Sequence, residues 1–325
     1  MKIDIIGAGA LGMLFGGMLA GAGEQVAFWT RTPEQAEMLN REGFEVEGPK
    51  ESKFFIDSGS FAAHTLHQAA EHGRDRAPDW ILLTVKQRHI DDRLLKAMGE
   101  IMGPKTKIAC YQNGVGHLEK IKTAFPDRYL YAVVTTEGAK RTSGGNVKRA
   151  GLGKTEVGIP VSAGLKKREQ GSLAELDRIG RENAESLILG LEKAGFAVFL
   201  SNDIDKEIYR KLLINAVINP LTALLRIPNG ELLARNERTD LMRQLCDEGV
   251  AVYQAYGISV DPDMYGTIAA VCHSTAANTS SMLKDVLEGS PTEVDFINGR
   301  LVEMARKVNL HIPGHETLWR LISAL

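Results

Sequence analysis

The chain opens on Ile3-Asp4-Ile5-Ile6 and passes directly into Gly7-Ala8-Gly9-Ala10-Leu11-Gly12. A short apolar run is expected to form a buried strand, and the residues from Met13 to Leu19 have the composition of a helix. GxGxxG between a strand and a helix is the fingerprint of a dinucleotide-binding βαβ unit. Gly7 permits the tight turn, Gly9 lets the backbone approach a pyrophosphate, and Gly12 lets the helix pack close to the sheet. The phosphates of such a ligand rest on the free N–H groups of the helix start. This one feature commits the N-terminal part of the chain to an α/β fold with a parallel sheet.

With 325 residues the chain has room for about two domains. A net charge of −2 offers no electrostatic footprint for nucleic acid. Cys110, Cys246 and Cys272 have neither metal spacing nor disulfide density, which points to a reducing, cytoplasmic setting. The start reads as a buried strand, too short and too lightly charged for a signal peptide. No apolar segment is long enough to span a bilayer. The eight histidines are scattered, so no metal site is expected.

Strand and helix patterns alternate through the first half. Strands are expected at Gln25–Trp29, Trp80–Val85, Lys107–Tyr111, Leu130–Val134 and Glu156–Ile159, with helices at Pro33–Arg41, Asp91–Met98 and Gly116–Ala124. Residues 43–57 read as a small hairpin, and 60–77 as a solvated helix and loop without assigned chemistry. Glu175–Ala194 is helical and Ala197–Leu200 extended. Beyond Ile204 the pattern is helical almost throughout, at Ile204–Ala223, Thr239–Tyr256, Met264–Cys272, Ser281–Glu288 and Thr292–Val308. The boundary is placed at 200, giving an α/β domain over 1–200 and an all-α domain over 201–325. Ligands in such proteins favour domain interfaces and the carboxyl ends of parallel strands.

The expected second strand ends without the acidic residue that reads an NAD ribose. Arg31 stands there instead, and a guanidinium can fork onto a 2′-phosphate, so NADPH is favoured over NADH, against a bland reading as a surface arginine. Glu34 is nearby but suits the start of the next helix. Lys86 and Asn113 follow expected strands, where cofactor and substrate groups gather. In the all-α part, Lys211, Asn215 and Asn219 recur every four residues within an apolar helix. Such groups need partners or a polar cleft. They form either a satisfied core network with a snorkelling lysine, or a site whose lysine protonates the alkoxide produced by hydride addition to a ketone. Pro220 is expected to bend or break that helix. Ser281 could cap the next helix or bind a carboxylate, and Glu293 could open a helix or serve as a site carboxylate facing with Ile297.

These pieces together resemble the ketopantoate reductases. The resemblance is carried by Gly7–Gly12, Val85-Lys86, Gln112-Asn113-Gly114, Lys211 with Asn215–Thr222, Pro228-Asn229-Gly230-Glu231-Leu232, Ser280–Val286 and Thr292–Gly299, and it runs nearly end to end. It implies a Rossmann-type domain joined to a helical domain like the C-terminal part of 6-phosphogluconate dehydrogenase. It also implies NADPH-dependent reduction of 2-dehydropantoate to pantoate, towards pantothenate and coenzyme A. Lys211 then matches the general acid and Glu293 the acidic residue that reads the distal hydroxyl. Ser281 and Asn278 match substrate-binding groups, and Asn215, Asn219 and Asn229 the substrate-facing asparagines. Lys86 and Asn113 match residues near the nicotinamide and the substrate, with Asn113 touching both, Arg31 the 2′-phosphate ligand, and Ala139 the backbone position holding the nicotinamide amide. Tyr209 stands where many members carry tryptophan, a packing change. The alternatives are a related NADPH-dependent 2-keto acid or opine-type dehydrogenase, and a non-catalytic NADPH-binding regulator. The helical domain permits a homodimer.

Overall fold

In the computed structural model, which describes residues 1–48, 52–142, 145–161 and 173–325, the chain divides into two compact units. One comprises Met1–Gln112 and His117–Ile204, the other Asn113–Gly116 and Asp205–Leu325. The sequence reading put the divide at 200; here it falls after Ile204, and the short stretch Asn113–Gly116 goes with the second unit.

The first unit runs β1 (Lys2–Ile6), α1 (Ala10–Gly21), β2 (Gln25–Thr30), α2 (Pro33–Glu42), β3 (Phe44–Glu47), β4 (Lys53–Ile56), β5 (Phe61–Thr65), α3 (Ala69–Arg76), β6 (Trp80–Leu83), α4 (Asp92–Ile101), β7 (Lys107–Cys110), α5 (His117–Ala124), β8 (Leu130–Thr135), β9 (Gly138–Arg141), β10 (Val147–Gly151), β11 (Lys154–Gly158), α6 (Leu173–Lys193) and β12 (Ala197–Leu200). Eight strands form one sheet in the order β12-β11-β8-β7-β6-β1-β2-β5. From β5 to β8 all neighbours are parallel, whereas β11 is antiparallel to β8. The order reverses between β1 and β6, which is where doubly wound sheets bind their ligands. β6 is buried at every position, as strands covered on both faces must be, so its sequence reads as an unbroken apolar run. The hairpin expected over 43–57 is β3 and β4, which join β10 and β9 in a four-stranded sheet.

The helix expected within 60–77 is α3, but the loop before it is corrected. Phe61–Thr65 is the edge strand β5, paired in parallel with β2. His64 packs against Trp29, and Arg76 pairs with Asp4, a fully buried carboxylate that also accepts a 2.7 Å bond from the Trp29 indole. Arg76, one polar residue of this stretch, therefore offsets a buried charge in β1. Sequence periodicity missed this because the partners are about seventy residues apart.

The second unit is helical: α7 (Ile204–Leu225), α8 (Asn236–Ala255), α9 (Met264–Ser274), α10 (Ser281–Leu287), α11 (Asn298–Lys307) and α12 (Pro313–Ser323). Its core gathers Leu212, Leu213, Val217, Leu245, Val252 and Leu301 around α7, a helix apolar on most of its surface because other helices cover it. Two expectations fail. Thr292–Val308 is not one helix, since a 3₁₀ turn at Val294–Phe296 precedes α11, and Ile297 between them leaves helical geometry at φ −111°, ψ −85°. Of the bend or break expected at Pro220, the break does not occur: α7 continues to Leu225. Proline removes the N–H that would serve the carbonyl of Ala216, and the side-chain amide of Asn298 replaces it at 2.9 Å. α12 was not anticipated at all.

Candidate active site

In the first unit the glycine loop follows β1. Gly7 has φ +107°, and a Cβ there would fall 2.7 Å from Val85 Cγ1 and 2.9 Å from the Val85 amide nitrogen. A Cβ on Gly12 would fall 2.0 Å from the Gly7 carbonyl oxygen. Both must be glycine for the loop to close on the segment after β6, where Thr84 Oγ1 donates to the Gly7 carbonyl at 2.7 Å. At Gly9 a Cβ would meet nothing within 4 Å. This glycine is exposed and begins α1 without a side-chain cap, so the first amides of the helix at Ala10, Leu11 and Gly12 have no side chain bonded over them. An open face at a helix start fits a pyrophosphate. Ala8 is held from behind, its carbonyl accepting Gln35 Nε2 at 2.6 Å.

Arg31 is exposed directly after β2, and Glu34 lies in the first turn of α2 as expected. Lys86, half-buried, leads into a 3₁₀ turn over Gln87–His89. Burial and the positive charges of Arg88, Arg31 and Lys86 hold the His89 imidazole below its ordinary range, with Asp91 opposing. Four basic side chains thus share one region beyond the ends of β2 and β6. Arg88 and His89 are not among the sequence candidates, because the pattern that identifies a ribose or 2′-phosphate ligand lies at the end of the second strand and these two follow β6. Ala139 is half-buried in β9 opposite Arg149, whose guanidinium forks onto Glu137 at 2.5 and 2.7 Å. That buried pair fixes the strand carrying Ala139.

In the second unit α7 presents Lys211, Asn215 and Asn219. Lys211 and Asn215 are half-buried and Asn219 is buried. Desolvation pushes the Lys211 ammonium down to about 8, while the charge of Glu293 pulls it back up. Glu293 precedes the 3₁₀ turn, so it faces this lysine from a turn and not from the helix the sequence suggested. Ser281 does not cap α10. Ser280 does, accepting the Leu283 amide at 3.1 Å, and it lies 2.7 Å from Thr222 Oγ1 on α7. Ser281 is left exposed as the first helical residue. Asn278 is exposed and its carbonyl accepts the Asn229 amide at 3.0 Å. Asn229 itself turns inward, its Nδ2 donating to Thr275 Oγ1 at 2.9 Å, so its position is that of a brace behind Asn278. Asn113 is half-buried in the short stretch that belongs to this unit.

The arrangement gives one unit an open glycine loop at a helix start with a basic rim, and the other a lysine with a depressed pKa that faces a carboxylate, on a helix that also carries two asparagines. The ketopantoate reductase PanE/ApbA family matches residues 3–161, and the ketopantoate reductase PanE/ApbA C-terminal family matches 203–325. The chain belongs to the ketopantoate reductase family. It is 31% identical over 325 residues to the 2-dehydropantoate 2-reductase of Pyrococcus horikoshii, covering 100% of this chain and 97% of that one. The corresponding figure for Pyrococcus abyssi is 30% over 322 residues, covering 99% and 97%. Among solved structures, D-mandelate dehydrogenase with NADH and anilino(oxo)acetate aligns with a TM-score of 0.85 at 23% identity, covering 100% and 97% of the two chains. The 2-dehydropantoate 2-reductase of Methylococcus capsulatus aligns at 0.82 and 24%, covering 100% and 96%. These structural likenesses concern the fold, a Rossmann-like domain followed by a helical one. Family membership makes the chain a nicotinamide-linked oxidoreductase of 2-keto acids.

Proposed function

We propose that this reductase uses NADPH to convert 2-dehydropantoate to pantoate, on the way to pantothenate and coenzyme A. The observation that carries the reading is Lys211, a lysine brought to about 8 by burial and held there against the field of Glu293, on a helix that also presents Asn215 and Asn219. A general acid works best with a pKa near the working pH, and few structural lysines need such a setting.

Gly7–Gly12 and the start of α1 would hold the pyrophosphate of the cofactor, which when bound would supply the hydride for C2 of the keto acid. Arg31, with Arg88 and His89 beside it, takes the 2′-phosphate. Lys86, Asn113 and Ala139 hold the nicotinamide end. Lys211 Nζ gives its proton to the C2 oxygen as negative charge develops there and is left neutral, to be reprotonated from solvent. Asn215 and Asn219 hydrogen-bond the reacting end of the substrate. Ser281 and Asn278 take the carboxylate, with Asn229 steadying Asn278 from behind. Glu293, half-buried, accepts a hydrogen bond from the distal hydroxyl, and a site built around such a bond rejects substrates lacking it by up to about 10⁴-fold.

The test is NADPH oxidation with 2-dehydropantoate, with 2-oxoisovalerate as the analogue without the hydroxyl and NADH as the alternative cofactor. Turnover confined to 2-dehydropantoate and NADPH supports the assignment. Equal turnover of the two keto acids overturns the role of Glu293, and equal use of NADH overturns that of the basic rim. Lys211→Ala is expected to bind NADPH normally and to lose at least about 10²-fold in kcat; wild-type turnover by this variant would remove the proton-donor assignment.

A further inference from the structure

Asn298 and His315 are both fully buried, and no step of the proposed reaction uses them. Their hydrogen bonds form one chain. His315 Nε2 is 2.9 Å from the Leu245 carbonyl oxygen, which can only accept, so Nε2 carries the proton and Nδ1 is the acceptor. Asn298 Nδ2 lies 3.0 Å from that Nδ1 and 2.9 Å from the Ala216 carbonyl. The amide therefore donates both its hydrogens, and the tautomer of one residue fixes the orientation of the other. Its Oδ1 is buried and takes no partner among the described residues, so the side chain is there for its donors.

The acceptor exists because of Pro220. In an unbroken α-helix the carbonyl of residue 216 would be occupied by the amide of residue 220. Ala216 lies between Lys211 and Asn219, next to Asn215. Asn298 lies five residues beyond Glu293, across a rigid 3₁₀ turn in which Phe296 N donates to Glu293 O at 3.0 Å and Ile297 N to Val294 O at 3.2 Å. Beyond the apolar packing of Val294, Ile297 and Leu301, the Asn298 side chain thus ties the segment carrying the carboxylate to the helix carrying the lysine.

We propose that Asn298, locked by His315 and admitted by Pro220, is a positioning residue that sets the placement of Glu293 against Lys211. The inference rests on Lys211 being the proton donor. The charged group that raises the proton affinity of Lys211 is Glu293, and burial opposes it. Loosening the attachment weakens the first effect while leaving the second. The basic limb of the pH–rate profile then moves to lower pH, which a change of stability alone would not produce.

The experiment is a double-mutant cycle of Asn298→Ala and Pro220→Ala in the full chain, following kcat, KM and the pH profile of NADPH oxidation with 2-dehydropantoate. Asn298→Ala is expected to lower kcat by about 10- to 100-fold, with a smaller effect on the KM for NADPH and a downward shift of the basic limb. Pro220→Ala returns an amide donor to Ala216, so in that background the same substitution is expected to cost less than about a third as much in kcat. Equal losses in both backgrounds, or a basic limb that stays in place, overturn the proposal. Should Asn298→Ala fail to fold, the readout becomes folding of the double variant: rescue by Pro220→Ala supports the proposal and no rescue overturns it. Lys211→Ala, assayed alongside, separates the two levels. If it is inactive while the cycle is additive, the positioning role fails and the proton-donor reading stands; if it turns over normally, both fail.

Discussion

At the scale of single residues, the chemistry turns on how two environments tune charge. Lys211 is desolvated and faces one carboxylate, Glu293, so its proton is held at about 8. A general acid must enter the reaction protonated, so kcat/KM is expected to be level below this value and to fall as pH rises through about 8. Glu293→Gln removes the charge that raises the lysine, and the basic limb should then begin at lower pH. A pH–rate profile of the two proteins checks the direction, and an upward shift would contradict it. The basic rim makes a different claim. Arg31→Ala and Arg88→Ala each remove a charge-assisted partner of a 2′-phosphate, worth about 1.5–3 kcal/mol, or roughly 10- to 100-fold in the Kd for NADPH. The Kd for NADH, which lacks that phosphate, should stay within about twofold. Fluorescence titration with both cofactors decides between this and a rim of ordinary surface charge.

At the scale of elements, the site is held by ties between helices whose partners are far apart in sequence. Ser280 caps α10 and also meets Thr222 on α7, whose own hydroxyl bonds the carbonyls of Ile218 and Asn219 at 2.9 and 3.0 Å. Ser280→Ala should therefore cost about 0.5–2 kcal/mol of stability as a lost cap. It should also raise the KM for the keto acid by displacing Ser281, whereas Ser281→Ala should raise KM with stability unchanged. Urea denaturation and steady-state kinetics on the pair distinguish the roles. The glycine loop was legible in sequence because its pattern is contiguous, GxGxxG between an apolar run and a helix, although the atoms that Gly7 must clear, at Thr84 and Val85, lie after β6. The four-residue spacing of Lys211, Asn215 and Asn219 was legible for the same reason. The division of labour between Ser280 and Ser281 was not, since either serine could cap and the choice depends on where Thr222 lies. The turn at Glu293 was hidden because Val294, Ile297 and Leu301 fit helical spacing equally well. The survival of α7 through Pro220 was hidden because its replacement donor is Asn298, on another element.

At the scale of the whole molecule, each unit buries a neutral histidine. Burial holds His117 at about 3 in the first unit, where its Nδ1 is 2.7 Å from Gln87 Nε2. His315 in the second is also held below its ordinary range by burial, although Glu248 and the Leu245 carbonyl oppose this. Both folded-state values lie below that of the unfolded chain, about 6.5. The unfolded state therefore takes up protons first, and the histidines' contribution to stability should be steady above that value and fall as pH drops below it. Denaturation midpoints at pH values of about 8, 6 and 5 should show this decline, and His117→Gln should flatten it; a constant midpoint over that window would rule the linkage out.

The stretch Asn113–Gly116 belongs to the helical unit although the chain on either side of it belongs to the α/β unit. Val115 packs against the helical core, and its carbonyl accepts Arg300 Nε at 3.4 Å. The backbone therefore changes unit three times, and no single cut yields two complete pieces. A gene fragment ending at Ile204 would carry Val115 away from the residues that cover it, and the remainder would begin life with a gap in its own core. Shuffling the helical half between relatives as one contiguous cassette should succeed only when these four residues travel with it.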